Sequence, residues 1–80
     1  MSNDTTANYL RDLGDLIKRV ALDARAERDR STDESSAQFN LGRLTALHDV
    51  VSLMQQQAVA FGLDVRDLAL DDIDPERDLL

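Results

Sequence analysis

The chain has 80 residues, no cysteine, a single histidine and a net charge of −7. Disulfides and thiolate metal sites are excluded because both need cysteine, and one histidine leaves no His-rich metal site. The hydrophobic core of a chain of this length gives only marginal stability by itself. Since disulfides and metal sites are excluded, self-association is the remaining source of additional stability. We therefore expect one self-associating domain, residues 1–80, with no metal and no cofactor.

The negative charge is concentrated at one end of the chain. Residues 64–80 hold seven acids and two arginines, a net charge of −5, whereas residues 1–63 carry only −2. Phosphate backbones favour basic surfaces, so nucleic acid is not expected as the main ligand. No secretory signal and no apolar run long enough for a membrane span is visible. We expect a cytoplasmic protein without a membrane partner, whose acidic end is a solvated surface or, alternatively, a docking segment.

The first predicted helix covers about residues 5–29. Its apolar residues recur at alternating spacings of three and four, which is typical of a helix that packs along one seam. This seam consists of Leu10, Leu13, Ile17, Val20 and Ala24. Gly14 lies at the edge of the seam, and we interpret it as a point where two helices approach closely.

A turn is predicted near residues 29–34, because apolar character stops after Ala26. Ser31 and Glu34 fit a capping box in which Ser31 is the N-cap of the next helix. This arrangement favours two antiparallel helices, and the alternative is a single bent helix.

The second predicted helix covers about residues 33–61, and its apolar arc of roughly 200° is too broad for one neighbouring helix. We expect one side of this arc to face the first helix and the other to face a second copy, which yields a four-helix bundle. The intrachain side is Leu44, Leu47, Val51, Met54 and Ala58. The predicted dimer interface is Phe39, Arg43, Ala46, Val50, Leu53 and Gln57. Exchange of the two sides is an alternative, and both relative directions of the two hairpins are open.

Arg43 is a charged residue inside this apolar arc. A charge at a dry interface is costly unless it is paired, so we expect a carboxylate partner. The candidates are Asp23, Glu27 or an acid of the second copy, and the alternative is that the Arg43 side chain extends into water.

The second helix is predicted to end at Gly62, which suits the left-handed position after a helix C-terminus. A short helical segment, residues 64–80, follows, with Pro75 at the start of its last helical turn. This segment has more apolar residues than a solvent-exposed tail would carry, so we expect them to cover the open end of the hairpin near Tyr9 and Leu13.

No catalytic motif is visible, since the chain lacks a nucleophile elbow, a second histidine and a phosphate-binding glycine loop. The sequence therefore favours a non-enzymatic helical interaction protein, an adaptor or regulator that binds itself and another protein. A second hypothesis is a nucleic-acid-binding hairpin dimer, because the plasmid repressor-of-primer proteins are similar in outline. The basic residues available for that role are Arg11, Lys18, Arg19 and Arg25.

The run Leu47-His48-Asp49-Val50 resembles the phosphoacceptor box of one histidine-kinase subfamily. The dimerisation module of that subfamily is also a helical hairpin, and the resemblance implies phosphotransfer through His48. It covers four residues, and Thr45 and Ala46 stand where the family has charged residues. Phosphotransfer is therefore the third hypothesis, and a surface histidine without a catalytic role is preferred.

Overall fold

The computed structural model describes residues 2–80, with side chains from residue 4 onward. The elements are α1 (Ser2–Arg30), α2 (Glu34–Ala60), a 3₁₀ helix (Val65–Leu68) and α3 (Pro75–Asp78). The two long helices pack against each other as a hairpin, and the described residues contain no strand. The chain measures 50 × 21 × 16 Å. The predicted all-α hairpin is confirmed.

The N-terminus of α2 is capped by Asp33 and not by Ser31, so the predicted capping box is wrong. The Asp33 carboxylate accepts a hydrogen bond from the backbone N–H of Ser36 at 3.1 Å. The Ser31 hydroxyl instead donates to the Glu27 carbonyl at 3.0 Å and accepts from the Asn40 amide at 2.7 Å. Because its hydroxyl serves the end of α1, Ser31 is not available to cap α2.

The C-terminus of α2 has the predicted glycine geometry. Gly62 adopts a positive φ of 73°. The backbone N–H of Leu63 donates to the Ala58 carbonyl at 2.8 Å, and that of Gly62 donates to the Val59 carbonyl at 3.0 Å. This pair of hydrogen bonds is the Schellman motif, which closes the helix and turns the chain back along the hairpin.

The side of α1 that faces α2 contains only part of the predicted seam. Ala24 is fully buried and Ile17 packs against the core, as predicted, whereas Leu13 and Val20 are 36% and 43% exposed. Ala21, which lies outside the predicted seam, is fully buried. Gly14 is buried as well. On α2 the predicted intrachain side is found, with three buried residues and two partly buried ones. The residues are Leu44, Val51, Ala58, Leu47 and Met54.

The prediction that residues 63–80 cover the open end of the hairpin is correct only in part, because Leu63 and Leu68 line a depression there but leave Tyr9 uncovered. Tyr9, at the open end, is 64% exposed. The segment runs along one side of the hairpin from its open end towards its loop. Its buried apolar residues complete the core, and they are Leu68, Leu70, Ile73 and Leu79.

Side chains of both long helices bind backbone carbonyls of this segment. The amide of Gln55 donates to the carbonyls of Leu70 and Ile73 at 3.0 and 2.9 Å. Lys18 donates to the Ala69 carbonyl at 2.9 Å. Closer to the loop, two arginines of α1 donate hydrogen bonds to carbonyls near the end of this segment. Arg25 donates to the Asp78 carbonyl at 2.9 Å, and Arg28 donates to the Leu80 carbonyl at 3.4 Å. Because little of this segment is regular helix, these donors satisfy carbonyls that would otherwise lack partners.

At Gly14 the backbone of α1 lies against the backbone of the C-terminal segment. A Cβ atom at this position would lie 1.8 Å from the carbonyl oxygen of Leu68. The close approach that the sequence indicated at Gly14 is thus made by the backbone of the 3₁₀ helix and not by the second long helix. Only glycine leaves room for it.

Substitution of Gly14 by alanine should therefore destabilise the protein, by about 1–3 kcal/mol, although alanine is the better helix former. The matched control is Gly42→Ala, because Gly42 also lies inside a helix and a Cβ atom there would meet none of the described residues within 4 Å. We expect Gly42→Ala to raise the free energy of unfolding by roughly 0.5–1 kcal/mol. Urea denaturation of both variants tests this, and equal effects of the two substitutions would contradict the close contact at Gly14.

Acid should destabilise the fold, because several aspartates have lowered pKa values. The N–H of Ser36 lowers the pKa of Asp33, and the hydrogen bond from Lys18 lowers the pKa of Asp72. The pKa values of Asp64 and Asp78 are lowered as well. A carboxylate with a lowered folded-state pKa stabilises the protein above its unfolded-state value of about 4, and this contribution is lost as the pH falls through the folded-state value.

The urea midpoint should consequently fall between about pH 6 and about pH 2. Asp72→Asn removes one of these carboxylates, so the variant should lose less stability on acidification than the wild-type chain. Equal losses for both proteins would show that the Lys18–Asp72 contact does not contribute.

Candidate interaction surface

The ion pair between Arg43 and Asp23 defines which rows of the two helices lie side by side. Nη2 of Arg43 lies 3.8 Å from Oδ2 of Asp23, so the predicted carboxylate partner is found within the chain. One turn closer to the loop, the amide of Asn40 lies 3.5 Å from the Glu27 carbonyl oxygen. Asp23 is therefore level with Arg43, and Glu27 with Asn40.

If this register continues turn by turn along the two helices, three further residues of α1 each lie level with one residue of α2. The pairs are Val20 with Ala46, Leu16 with Val50, and Leu13 with Leu53. These residues belong to one row on α1 and one row on α2, and both rows lie on the side of the hairpin that the C-terminal segment leaves bare. We call this surface the open face. It consists of Tyr9, Leu13, Leu16, Val20 and Asp23 on α1, of Phe39, Arg43, Ala46, Val50, Leu53 and Gln57 on α2, and of Phe61.

Apolar side chains dominate the open face and are largely in contact with water. Phe39 and Phe61 are 72% and 75% exposed, and Leu53 is 60% exposed. Val50 and Leu16 are exposed as well. Single exposed apolar residues are normal on a protein surface, but a continuous patch of this length marks a site of interaction.

All six residues of the predicted dimer interface lie on the open face. Five of them are exposed or partly exposed, and Arg43 is half-buried beside Asp23. The contribution of α1 does not follow from the sequence pattern, which places Leu13 and Val20 in the seam between the two helices. The small residues Gly14 and Ala21, spaced one heptad apart, were the signal for the true buried row.

An apolar depression of about 320 Å³ lies at the open end of the hairpin, beside the open face. Leu53, Gln57 and Phe61 of the open face form one wall of it. The remaining lining comes from α1, α2 and the C-terminal segment, and consists of Leu10, Met54, Ala58, Leu63 and Leu68. We call this depression the end pocket.

Charge is distributed unequally between the two sides of the hairpin. Between Tyr9 and Asp23 on α1 and between Phe39 and Phe61 on α2, the rows of the open face contain one acid and one base, Asp23 and Arg43, which pair with each other. Glu27, one turn further along the α1 row, forms an ion pair with Arg30. The seven acids of residues 64–80 belong to the segment that packs on the opposite side. A molecule with a net charge of −7 therefore presents a nearly neutral apolar surface on this side.

Three of the four basic residues considered for nucleic-acid binding have intramolecular partners. Lys18 binds Asp72 at 2.8 Å, and Arg25 donates to the carbonyl of Asp78. Arg19 pairs with Asp15 at 2.9 Å. A phosphate backbone would have to compete with these carboxylates and carbonyls, so the geometry does not favour the nucleic-acid hypothesis.

His48 lies beneath α3 and is not the surface residue that the sequence predicted. Its side chain is 15% exposed, and its Nδ1 lies 3.1 Å from Oδ1 of Asp49. Its Nε2 lies 3.6 Å from Oε1 of Glu76 and is buried without a hydrogen-bond partner among the described residues. A phosphoryl donor could reach this nitrogen only after α3 moves, so the structure does not favour phosphotransfer through His48.

Within the part of the chain that the structure describes, no three acidic or histidine side chains cluster in a way that could hold a metal ion. Neither long helix, over residues 2–80, carries the sustained apolar stretch that a membrane span requires. Comparison of the chain with protein-family models, with curated proteins and with solved structures finds no match.

The covered position of His48 predicts slow modification by diethyl pyrocarbonate, which needs an accessible imidazole nitrogen. Leu79 is fully buried, so Leu79→Asp should displace α3 and raise the modification rate several-fold. Leu80→Asp is the matched control, because Leu80 is 54% exposed. Mass spectrometry reports on this one histidine directly, and far-UV circular dichroism checks that the long helices persist. Fast modification of the wild-type chain would contradict the burial of Nε2.

Proposed function

We propose that this protein is a non-enzymatic helical interaction protein whose open face binds a second copy of the chain to form a four-helix bundle. The observation that carries the proposal is the open face itself, a continuous apolar surface that lies opposite the docked C-terminal segment. In a domain of 80 residues, exposure of this much apolar surface is unfavourable unless another surface covers it.

The size of the open face fits a dimer of standard dimensions. The row from Phe39 to Phe61 spans about 33 Å at 1.5 Å per residue, and two adjacent helices are roughly 20 Å wide. The face thus covers roughly 650 Å² per copy, which is close to the ~800 Å² per partner of a typical specific interface. The open face alone therefore supplies an area in the range of stable complexes.

Charge also supports a second copy as the occupant. Two molecules that each carry a charge of −7 repel one another unless their acids are kept apart. Packing through the open faces places the two C-terminal segments on the outer sides of the complex. Asp23 and Arg43, the charged groups of the open face that enter the contact, are paired within each chain.

In this proposal the dimer is the active unit, and its role is to bring proteins together as an adaptor or regulator. The acidic outer sides, which carry a net charge of −5 in each C-terminal segment, are the surfaces that remain free in the bundle. Such a surface favours a basic protein partner by long-range attraction.

The test is the effect of a charge placed on the open face. Leu53→Asp puts a carboxylate into the proposed contact, so sedimentation equilibrium should change from a dimer of twice 8.9 kDa to a monomer. Because Leu53 is 60% exposed within one chain, far-UV circular dichroism should remain that of the wild type.

Leu41→Asp is the matched control, since Leu41 is 50% exposed, lies on the same helix and points away from the open face. It makes the same chemical change and should leave the dimer intact. A wild-type chain that sediments as a monomer at micromolar concentration would refute the proposal, as would dissociation by both variants alike.

A further inference from the structure

Resting on the proposed self-association, we propose that the two hairpins pack with their loops at opposite ends of the bundle. The twofold axis then passes beside Leu16 and Val50, and Phe39 of each copy enters the end pocket of the other. The direction and register of the complex are defined in this arrangement, whereas the open face on its own leaves them undecided.

The centre of the open face coincides with the centre of α1. Leu16 is the middle residue of Ser2–Arg30, and it lies level with Val50. On α2, Phe39 and Phe61 are equally distant from Val50, eleven residues on either side. A twofold axis at this level therefore overlaps the two molecules along their whole 50 Å length.

The sizes of the side chains favour the arrangement with loops apart. Leu13 and Leu53 form one layer of the open face, and Val20 and Ala46 form another. The two layers lie on opposite sides of Leu16, at three and four residues from it. With loops apart, the layer of two leucines in one copy meets the smaller layer of valine and alanine in the other. With loops together, one layer of the bundle would hold four leucines and another only two valines and two alanines.

Such an imbalance matters because helices in a bundle keep a nearly constant separation while their cores are packed at uniform density. A layer of four leucines forces the helices apart, and a layer of valines and alanines leaves a void at that separation. The loops-apart arrangement gives every apolar layer about the same volume.

Polar groups are matched in the same arrangement. The layer of Asp23 and Arg43 in one copy meets the layer of Tyr9 and Gln57 in the other. The Tyr9 hydroxyl is a donor for the Asp23 carboxylate, and the Gln57 amide oxygen is an acceptor for the Arg43 guanidinium. Each charged group thus gains a hydrogen-bonding partner at the moment when it is removed from water.

The phenyl ring of Phe39 fits the end pocket of the other copy. At eleven residues from the axis, Phe39 of one copy lies beside Phe61 of the other, and Phe61 lines this pocket. The pocket is apolar and has a volume of about 320 Å³, enough to hold an aromatic side chain. Phe39, which is 72% exposed in the single chain, becomes covered.

Spin labels on single-cysteine variants test the arrangement, because the natural chain contains no cysteine. Thr32→Cys places the label in the exposed loop, and Asp49→Cys places it level with the proposed axis and beside the open face. With loops apart, double electron–electron resonance should show about 50 Å between the labels at position 32, at 1.5 Å per residue along the helix. The labels at position 49 should be separated by only about 20 Å, because contacting helix axes are about 10 Å apart.

The outcomes separate this inference from the proposed function. Distances below about 25 Å at both positions would show a dimer with loops together, so the inference would fail while the self-association stands. Absence of any dipolar coupling at both positions would show a monomer, and both proposals would fail. A long distance at position 32 combined with a short one at position 49 supports the inference.

Discussion

Docking of residues 63–80 along one side of the helical hairpin is the constraint on which the rest of this structure depends. The Leu68 carbonyl of this segment lies against Gly14 of the hairpin, a contact that leaves no room for a Cβ atom. Gln55 and Lys18 then bind carbonyls further along the segment. Because the segment is mostly irregular, these side-chain donors replace the backbone hydrogen bonds that a helix would provide for itself.

This docking makes the two sides of the hairpin chemically different. The covered side receives the acidic segment, whose buried leucines and Ile73 complete the core. The opposite side keeps a largely apolar surface, in which Asp23 and Arg43 form an ion pair. The proposed dimer follows from this difference, since it covers the apolar side and leaves both acidic segments in water.

The same docking also explains why the residues that suggested other functions are not accessible for them. Lys18 and Arg25, which a nucleic-acid-binding surface would use, are bound to the C-terminal segment. His48, the one residue that suggested phosphotransfer, lies beneath α3 with its Nε2 buried near Glu76. Side chains that could bind phosphate or accept a phosphoryl group, judged from the sequence, are thus engaged or covered by residues that are distant in the sequence.

The two long helices, the turn between them and the end of α2 at Gly62 could be predicted from the sequence, because they depend on local spacing, charge and glycine geometry. The residue that caps α2 was not predicted correctly, since the Ser31 hydroxyl binds the end of α1. The α2 row of the open face could also be predicted, since its apolar arc is wider than one neighbour can cover. Only the tertiary structure decided which side of α1 is buried. Hydrophobicity alone favours burial of the row with Leu13 and Val20. The row with Gly14 and Ala21 is buried because its side chains are small enough to fit against both α2 and the 3₁₀ helix. This steric fit joins residues that are more than fifty positions apart in the sequence, so local patterns do not reveal it.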